Sequence, residues 1–260
     1  MARSAAGARK RPLIEIFDEA IDVVRQDAGE YGFVALVGAI CACLAVLVPG
    51  LIGGPGGAAA VGPLLALVAL LSFATGAALV SCAGDQLQPD AAGAFREALR
   101  RSPSLVRPWL LLIFALGLAG AGYSLGREYL GPVPSSAVLL APVAFAAWYA
   151  YPRSVAITAC IEQELGGGRA ERLSAAVAAR AGARLLVVWC ALVAPSGAVL
   201  AIGALGGLDA ITGGFVAFVF VATLPFAAAV LSPFFAEYAS HVGEEAREAL
   251  AATPAYRRGW

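Results

Sequence analysis

The chain has 260 residues, 60% of them hydrophobic and only 14% charged, with a formal net charge of zero and a mean hydropathy of +0.79. A soluble domain carries about 25% charged residues, so this chain is short of the charge that a water-facing surface needs. Nucleic acid is not among its expected partners, and the bilayer itself is.

The first predicted element is an amphipathic helix. Leu13, Phe17, Ala20, Ile21 and Val24 recur at helical spacing, and Glu15, Asp18, Glu19, Asp22 and Arg25 fall on the other face. Pro12 suits its first turn. Two apolar runs follow, Tyr31–Pro49 and Val61–Cys82, neither containing Asp, Glu, Lys or Arg. About 20 residues of helix cross a bilayer core, so both are predicted spans, joined by the glycine-rich stretch GLIGGPGGAAAVG. A second amphipathic helix sets Ala91, Phe95, Ala98 and Leu99 against Asp90, Arg96, Glu97, Arg100 and Arg101. Span three is Trp109–Leu125. Span four is Ala137–Tyr151, which reaches full length only if it continues to Cys160 with Arg153 snorkelling to the interface. A third amphipathic helix sets Ala170, Leu173, Ala176 and Val177 against Arg169, Glu171, Arg172 and Ser174. Spans five and six are Leu185–Leu205 and Ile211–Ala236. The tail from Gly243 to Leu250 reads as a fourth short amphipathic helix, and Arg257, Arg258 and Trp260 suit an interface. A β-barrel is disfavoured, because barrel strands alternate polar and apolar positions and these runs are apolar on every face.

The expected fold is therefore an all-α integral membrane protein of six spans, arranged as three hairpins, each preceded by a cytoplasmic amphipathic helix. Phe17, Phe95 and Leu173 are spaced by 78 residues, with Ala20, Ala98 and Ala176 in the same register, as are Ile21, Leu99 and Val177. That period divides the chain into a basic tail (1–11), a membrane domain (12–240; repeats 12–88, 89–165 and 166–240) and a C-terminal tail (241–260). Seventeen of the 18 basic residues lie in the tails and in the segments before spans one, three and five; Arg127 alone lies on the other side. The positive-inside rule then predicts cytoplasmic termini in a multi-pass protein of the cell membrane. No signal peptide is expected, since the residues before Tyr31 are rich in Asp and Glu, and the first span is expected to serve as its own insertion signal.

Chemistry-bearing motifs are few. GYSLG, Gly122–Gly126, has the spacing of a nucleophile elbow, but that motif needs a strand before it and a helix after it. The single histidine, His241, is predicted on the opposite side of the membrane from Ser124. Ser196 is predicted within span five, again apart from His241. Cys41, Cys43, Cys82, Cys160 and Cys190 lie in or beside spans, lack a Cys-x-x-Cys spacing and read as small buried hydrophobes. Ser72 and Thr75 share a face of span two, and Thr158 with Arg153 lines the inner end of span four. Pro142, Pro195 and Pro225 are predicted to kink spans four, five and six, and Gly122/Gly126 and Gly203/Gly207 fit Gly-x-x-x-Gly. No catalytic, cofactor-binding or metal-binding residue is assigned and no cofactor is expected.

The stretch IEQELGGGRAERLSAAVAARAGARLL, Ile161–Leu186, places a Glu after an apolar helix, then a glycine break, then an Ala and a Ser in a basic helix. Through Glu162, Gly166, Ala170 and Ser174, with FDEAI and FREAL as earlier counterparts, the chain resembles the membrane domain attached to bacterial glycerophosphodiester phosphodiesterases and its stand-alone relatives. It departs from that pattern at Ala175, where a Trp is common, and no phosphodiesterase domain is expected. The resemblance implies a six-helix membrane module, and no activity carries over from it. The expected function is a non-enzymatic membrane module that binds a partner, another membrane protein, or organises lipid; the alternative is a transporter or permease for an apolar or amphipathic solute.

Overall fold

The computed structural model describes residues 11–84, 90–130, 145, 148–206 and 210–252. Every element among them is helical: α1 (Leu13–Gln26), α2 (Ala28–Ile52), α3 (Gly54–Gly84), α4 (Ala91–Arg100), α5 (Ser102–Val106), α6 (Leu110–Leu130), α7 (Ala156–Glu162), α8 (Gly167–Ala181), α9 (Ala183–Gly206) and α10 (Ala210–Ala252). Short 3₁₀ turns at Arg107–Trp109 and Tyr151–Arg153 join some of them. Helices satisfy every interior backbone group within the segment, which is what a hydrocarbon environment demands.

Four helical paths are long and apolar enough to cross a membrane: Ala28–Pro49, Gly56–Cys82, Ser102–Gly126 and Gly213–Tyr238. A fifth is reached when Gly167–Ala181 and Ala183–Pro195, bent by 103°, are taken as one path. Most of the predicted span four, with Pro142, lies outside the described residues. Its inner end differs from the expectation of one helix to Cys160. The chain turns through a 3₁₀ segment and a break at Val155 before α7 begins, and Val155–Ile161 are buried inside the protein. Arg153 is held by partners within the protein. Its guanidinium pairs with Glu171, donates to the Tyr149 carbonyl at 3.0 Å and lies 3.6 Å from the centre of the Tyr149 ring. A neighbouring acid and an aromatic face hold the charge.

The helix α3 lies at the centre, against α2, α6 and α10. Small residues set these approaches. A Cβ on Gly76 would stand 2.7 Å from Pro225 Cα on α10, one on Gly62 would stand 2.8 Å from Leu116 Cβ on α6, and one on Gly120 would collide with the Ala58 carbonyl. Gly38 of α2 meets Ser72 and Val221 in the same way. The contacts thus cross the expected hairpins: α6 packs on α3, and α10 packs on both α2 and α3. The helix α10 also runs unbroken to Ala252, so the predicted tail helix at Gly243–Leu250 is the end of α10 and not a separate element.

At one end of the bundle α1, α4, α5, α7 and α8 are added to the spans. Leu13, Ile16 and Ala20 of α1 face the core, as do Ala91, Ala94 and Ala98 of α4, each set 78 residues from its counterpart. The third helix departs from that register. In α8 the buried set is Gly167, Ala170, Ser174, Val177, Ala178 and Ala181, whereas Arg169 and Arg172 are exposed.

Candidate functional site

The polar contacts concentrate where these short helices meet the long apolar ones. Asp90 caps α4, its two carboxylate oxygens accepting from Ala92 N–H at 3.0 Å and Gly93 N–H at 2.9 Å. Glu30, at the start of α2, accepts from Ala91 N–H at 2.8 Å and ties the same helix end to the first span.

Three half-buried arginines then staple the elements together. Arg101, at the α4–α5 corner, pairs with Glu97, reaches Glu164 at 2.7 Å and donates to the Cys160 carbonyl at 2.8 Å. That last bond places a cation on the exposed carbonyls of the α7 C-terminus. Glu164 has φ +55, a region that non-glycine residues rarely adopt, and its carboxylate accepts from Arg101. Arg153 pairs with Glu171 as described. Arg184 bonds Glu237 at 3.1 Å, the Tyr238 hydroxyl at 2.8 Å and the Arg11 carbonyl. Hydrogen bonds finish the joint at the break before α7: Val155 N–H donates to Ser174 Oγ at 3.2 Å, Tyr149 OH to the Pro108 carbonyl at 2.7 Å, and Tyr151 OH to the Gly182 carbonyl at 2.8 Å.

Glu162 stands apart from this pattern. Its Oε1 is buried and has no hydrogen-bond partner. It faces a cleft of about 200 Å³ whose other walls are Glu19 and Val23 of α1, Val80 of α3, and Ala229, Ser232, Pro233 and Ala236 of α10. Burial pushes the Glu162 carboxyl up to about 8. The cleft is mainly aliphatic, with Glu19 exposed at its rim and paired with Arg11 at 2.7 Å. Such a site can bind a donor or a cation. It offers no nucleophile paired with a base.

Among the other residues singled out in the sequence, Ser174 is fully buried and closes the Val155 break, and Ala170 is fully buried at the α8 interface. Gly166 is the exposed N-cap of α8, and a Cβ there would meet nothing. The glycine that packs closely is Gly167, against the Ser104 carbonyl and Pro108. Ser124 sits inside the continuous helix α6, so GYSLG lacks the strand-to-helix turn of an elbow. The side chains of Ser196 and His241, and Arg257, Arg258 and Trp260, lie outside the described residues. Cys160 is buried, but Cys41 and Cys190 are exposed on outward faces of α2 and α9, which corrects the expectation that all five are buried. Outward positions on apolar spans accept a cysteine as readily as interior ones, so composition could not sort them. Ser232 and Pro233 escaped notice in the sequence because they belong to a long apolar run. Glu162 carried a readable signal: it ends an apolar segment with no basic residue one turn away on either side.

No family model matches the chain, and no characterised protein or solved structure is significantly similar to it. Any likeness to the phosphodiesterase-linked membrane domain therefore stands on the residues already given.

Proposed function

We propose that this protein is a non-enzymatic module of the cell membrane, with cytoplasmic termini, that organises anionic lipid around the end of the bundle where the short helices gather. The observation that carries the reading is the three-striped surface of α4. Ala94 and Ala98 face the protein. Phe95 and Leu99 form an adjacent apolar stripe, 44% and 52% exposed. Arg96 and Arg100 form a basic stripe beside it, with side chains 78% and 71% exposed. A helix with this order lies in the plane of an interface, its apolar side chains at the acyl boundary and its arginines at the headgroups. Each basic residue near an anionic surface contributes about 1 kcal/mol. The 78-residue repeat and the three-hairpin arrangement belong to the same proposal, as a way of placing such helices around the bundle.

The test is reconstitution of the full chain into nanodiscs containing phosphatidylglycerol and phosphatidylcholine, with native mass spectrometry of the lipids retained after extraction. The expected result is selective retention of phosphatidylglycerol, reduced in Arg96→Gln/Arg100→Gln. Equal retention of the two lipids would refute lipid organisation. Loss of a co-purifying protein in Phe95→Asp/Leu99→Asp, with lipid retention unchanged, would make the surface a protein-docking face.

A further inference from the structure

The cleft beside Glu162 has a chemistry independent of the lipid reading. The half-buried acids Glu97, Glu171 and Glu237 are paired with Arg101, Arg153 and Arg184, and the exposed Glu164 shares Arg101. Glu162 receives no arginine, and its buried Oε1 receives no donor at all. A buried carboxyl oxygen without a donor carries its full desolvation penalty. A ligand that supplies the donor would remove it.

The walls say which ligand. Among the described residues no lining residue is basic, and two are acidic, so an anion is disfavoured. A hard divalent ion takes six or more oxygen ligands, whereas Val23, Val80, Ala229, Pro233 and Ala236 present carbon and Glu19 already has Arg11. The volume is that of about six waters, which accommodates a short aliphatic chain. We propose that this cleft binds an organic ammonium ion, with the Glu162 carboxylate as counter-ion, the Ser232 hydroxyl of the same cleft as a second acceptor, and Val23, Val80 and Pro233 around the carbon atoms. The same chemistry is offered by a free amine and by an aminophospholipid headgroup, and two experimental arms separate them.

In the first arm, the full chain in detergent is titrated with n-butylammonium chloride, against potassium chloride at equal ionic strength, while thermal unfolding is followed. The expected result is a rise in Tm with butylammonium beyond that with potassium, and an apparent affinity at least roughly tenfold weaker in Glu162→Gln, the scale of a lost charge-assisted hydrogen bond. In the second arm, nanodiscs of phosphatidylethanolamine are compared with phosphatidylglycerol for the wild type and Glu162→Gln. Stabilisation by phosphatidylethanolamine that depends on Glu162, with no response to butylammonium, assigns the site to a lipid headgroup. Ala236→Leu, on an exposed wall position, narrows the cleft without touching its charge and serves if Glu162→Gln does not fold. Absence of any response in both arms, or an undiminished response in these variants, would overturn the proposal.

Discussion

Glu162 and Glu97 pull the pH dependence of stability in opposite directions. The Glu97 carboxylate is lowered to about 2, first by the paired hydrogen bonds from Arg100 at 2.9 Å and then, against a burial penalty, by Arg101. Its contribution is present above the ordinary value of 4.5 and is lost as pH falls from there towards 2. Glu162 is raised from 4.5 to about 8, so between those values the fold keeps a proton that the unfolded chain has released. Stability then falls as pH rises through that window and levels off above it. Among the described residues, Glu19 is the other titratable group lining the cleft, and those of α3 and α10 do not titrate. Thermal unfolding from pH 4.5 to 8.5 is expected to show a downward slope in the wild type that is shallower in Glu162→Gln. An identical slope in both would mean that Glu162 is not the group responsible. Gly182 is a second residue-scale case. It turns α8 into α9 at φ +51 and ψ −128, with open space where a Cβ would sit. Gly182→Ala therefore meets conformational strain alone, of about 1–3 kcal/mol, and Tm should fall with no change in the span contacts.

At the scale of an element, the short helices separate packing from surface chemistry. The sequence pattern puts Phe95 and Leu99 on the apolar face of α4 with Ala91 and Ala98. In the fold the protein-facing residues are Ala91, Ala94 and Ala98, and the two large side chains point away. Alanines allow α4 to lie close to α3, where a Phe would hold it off. Ala98→Leu should thus destabilise detergent-purified protein by roughly 1–3 kcal/mol through overpacking, while Phe95→Asp should change detergent stability little and weaken lipid retention. Comparable losses of Tm in the two variants would place Phe95 in the packed interface instead. On α1 the assignment is mixed: Phe17 is partly buried against the core, but Ile16 and Ala20 are the fully buried residues and Ile21 is exposed.

For the whole molecule, the central position of α3 depends on a few glycines. Gly76→Ala must push α10 away at Pro225, where the opposing atom belongs to the backbone and cannot rotate aside. A loss of roughly 1–3 kcal/mol is expected, measured as a fall in Tm, whereas alanine at Gly29, where a Cβ meets nothing, should have little effect. Topology is tested with single cysteines in a Cys-free background. The proposed orientation expects an impermeant maleimide to label Gly56→Cys, Tyr129→Cys and Gly207→Cys in intact cells and to spare Ser104→Cys. The reverse pattern would invert the orientation.

Composition and apolar run length were enough to specify a helical chain with several segments long and apolar enough to cross a membrane, because about 20 uncharged apolar residues can be satisfied in lipid only as a helix. Helical periodicity also located the short helices near Leu13, Ala91 and Gly167. Glu162 was legible as an acid without a local partner. Tertiary structure decided the rest. Whether Arg153 reaches water or pairs with Glu171 depends on where α8 packs, which local sequence does not encode. The break at Val155 is held by Ser174, 19 residues later, and the cleft exists only because α1, α3, α7 and α10 converge from four distant parts of the chain. Hydropathy is a local sum, and it registers which segments leave water; which of their faces meet depends on side-chain shape and on pairings between residues far apart in sequence.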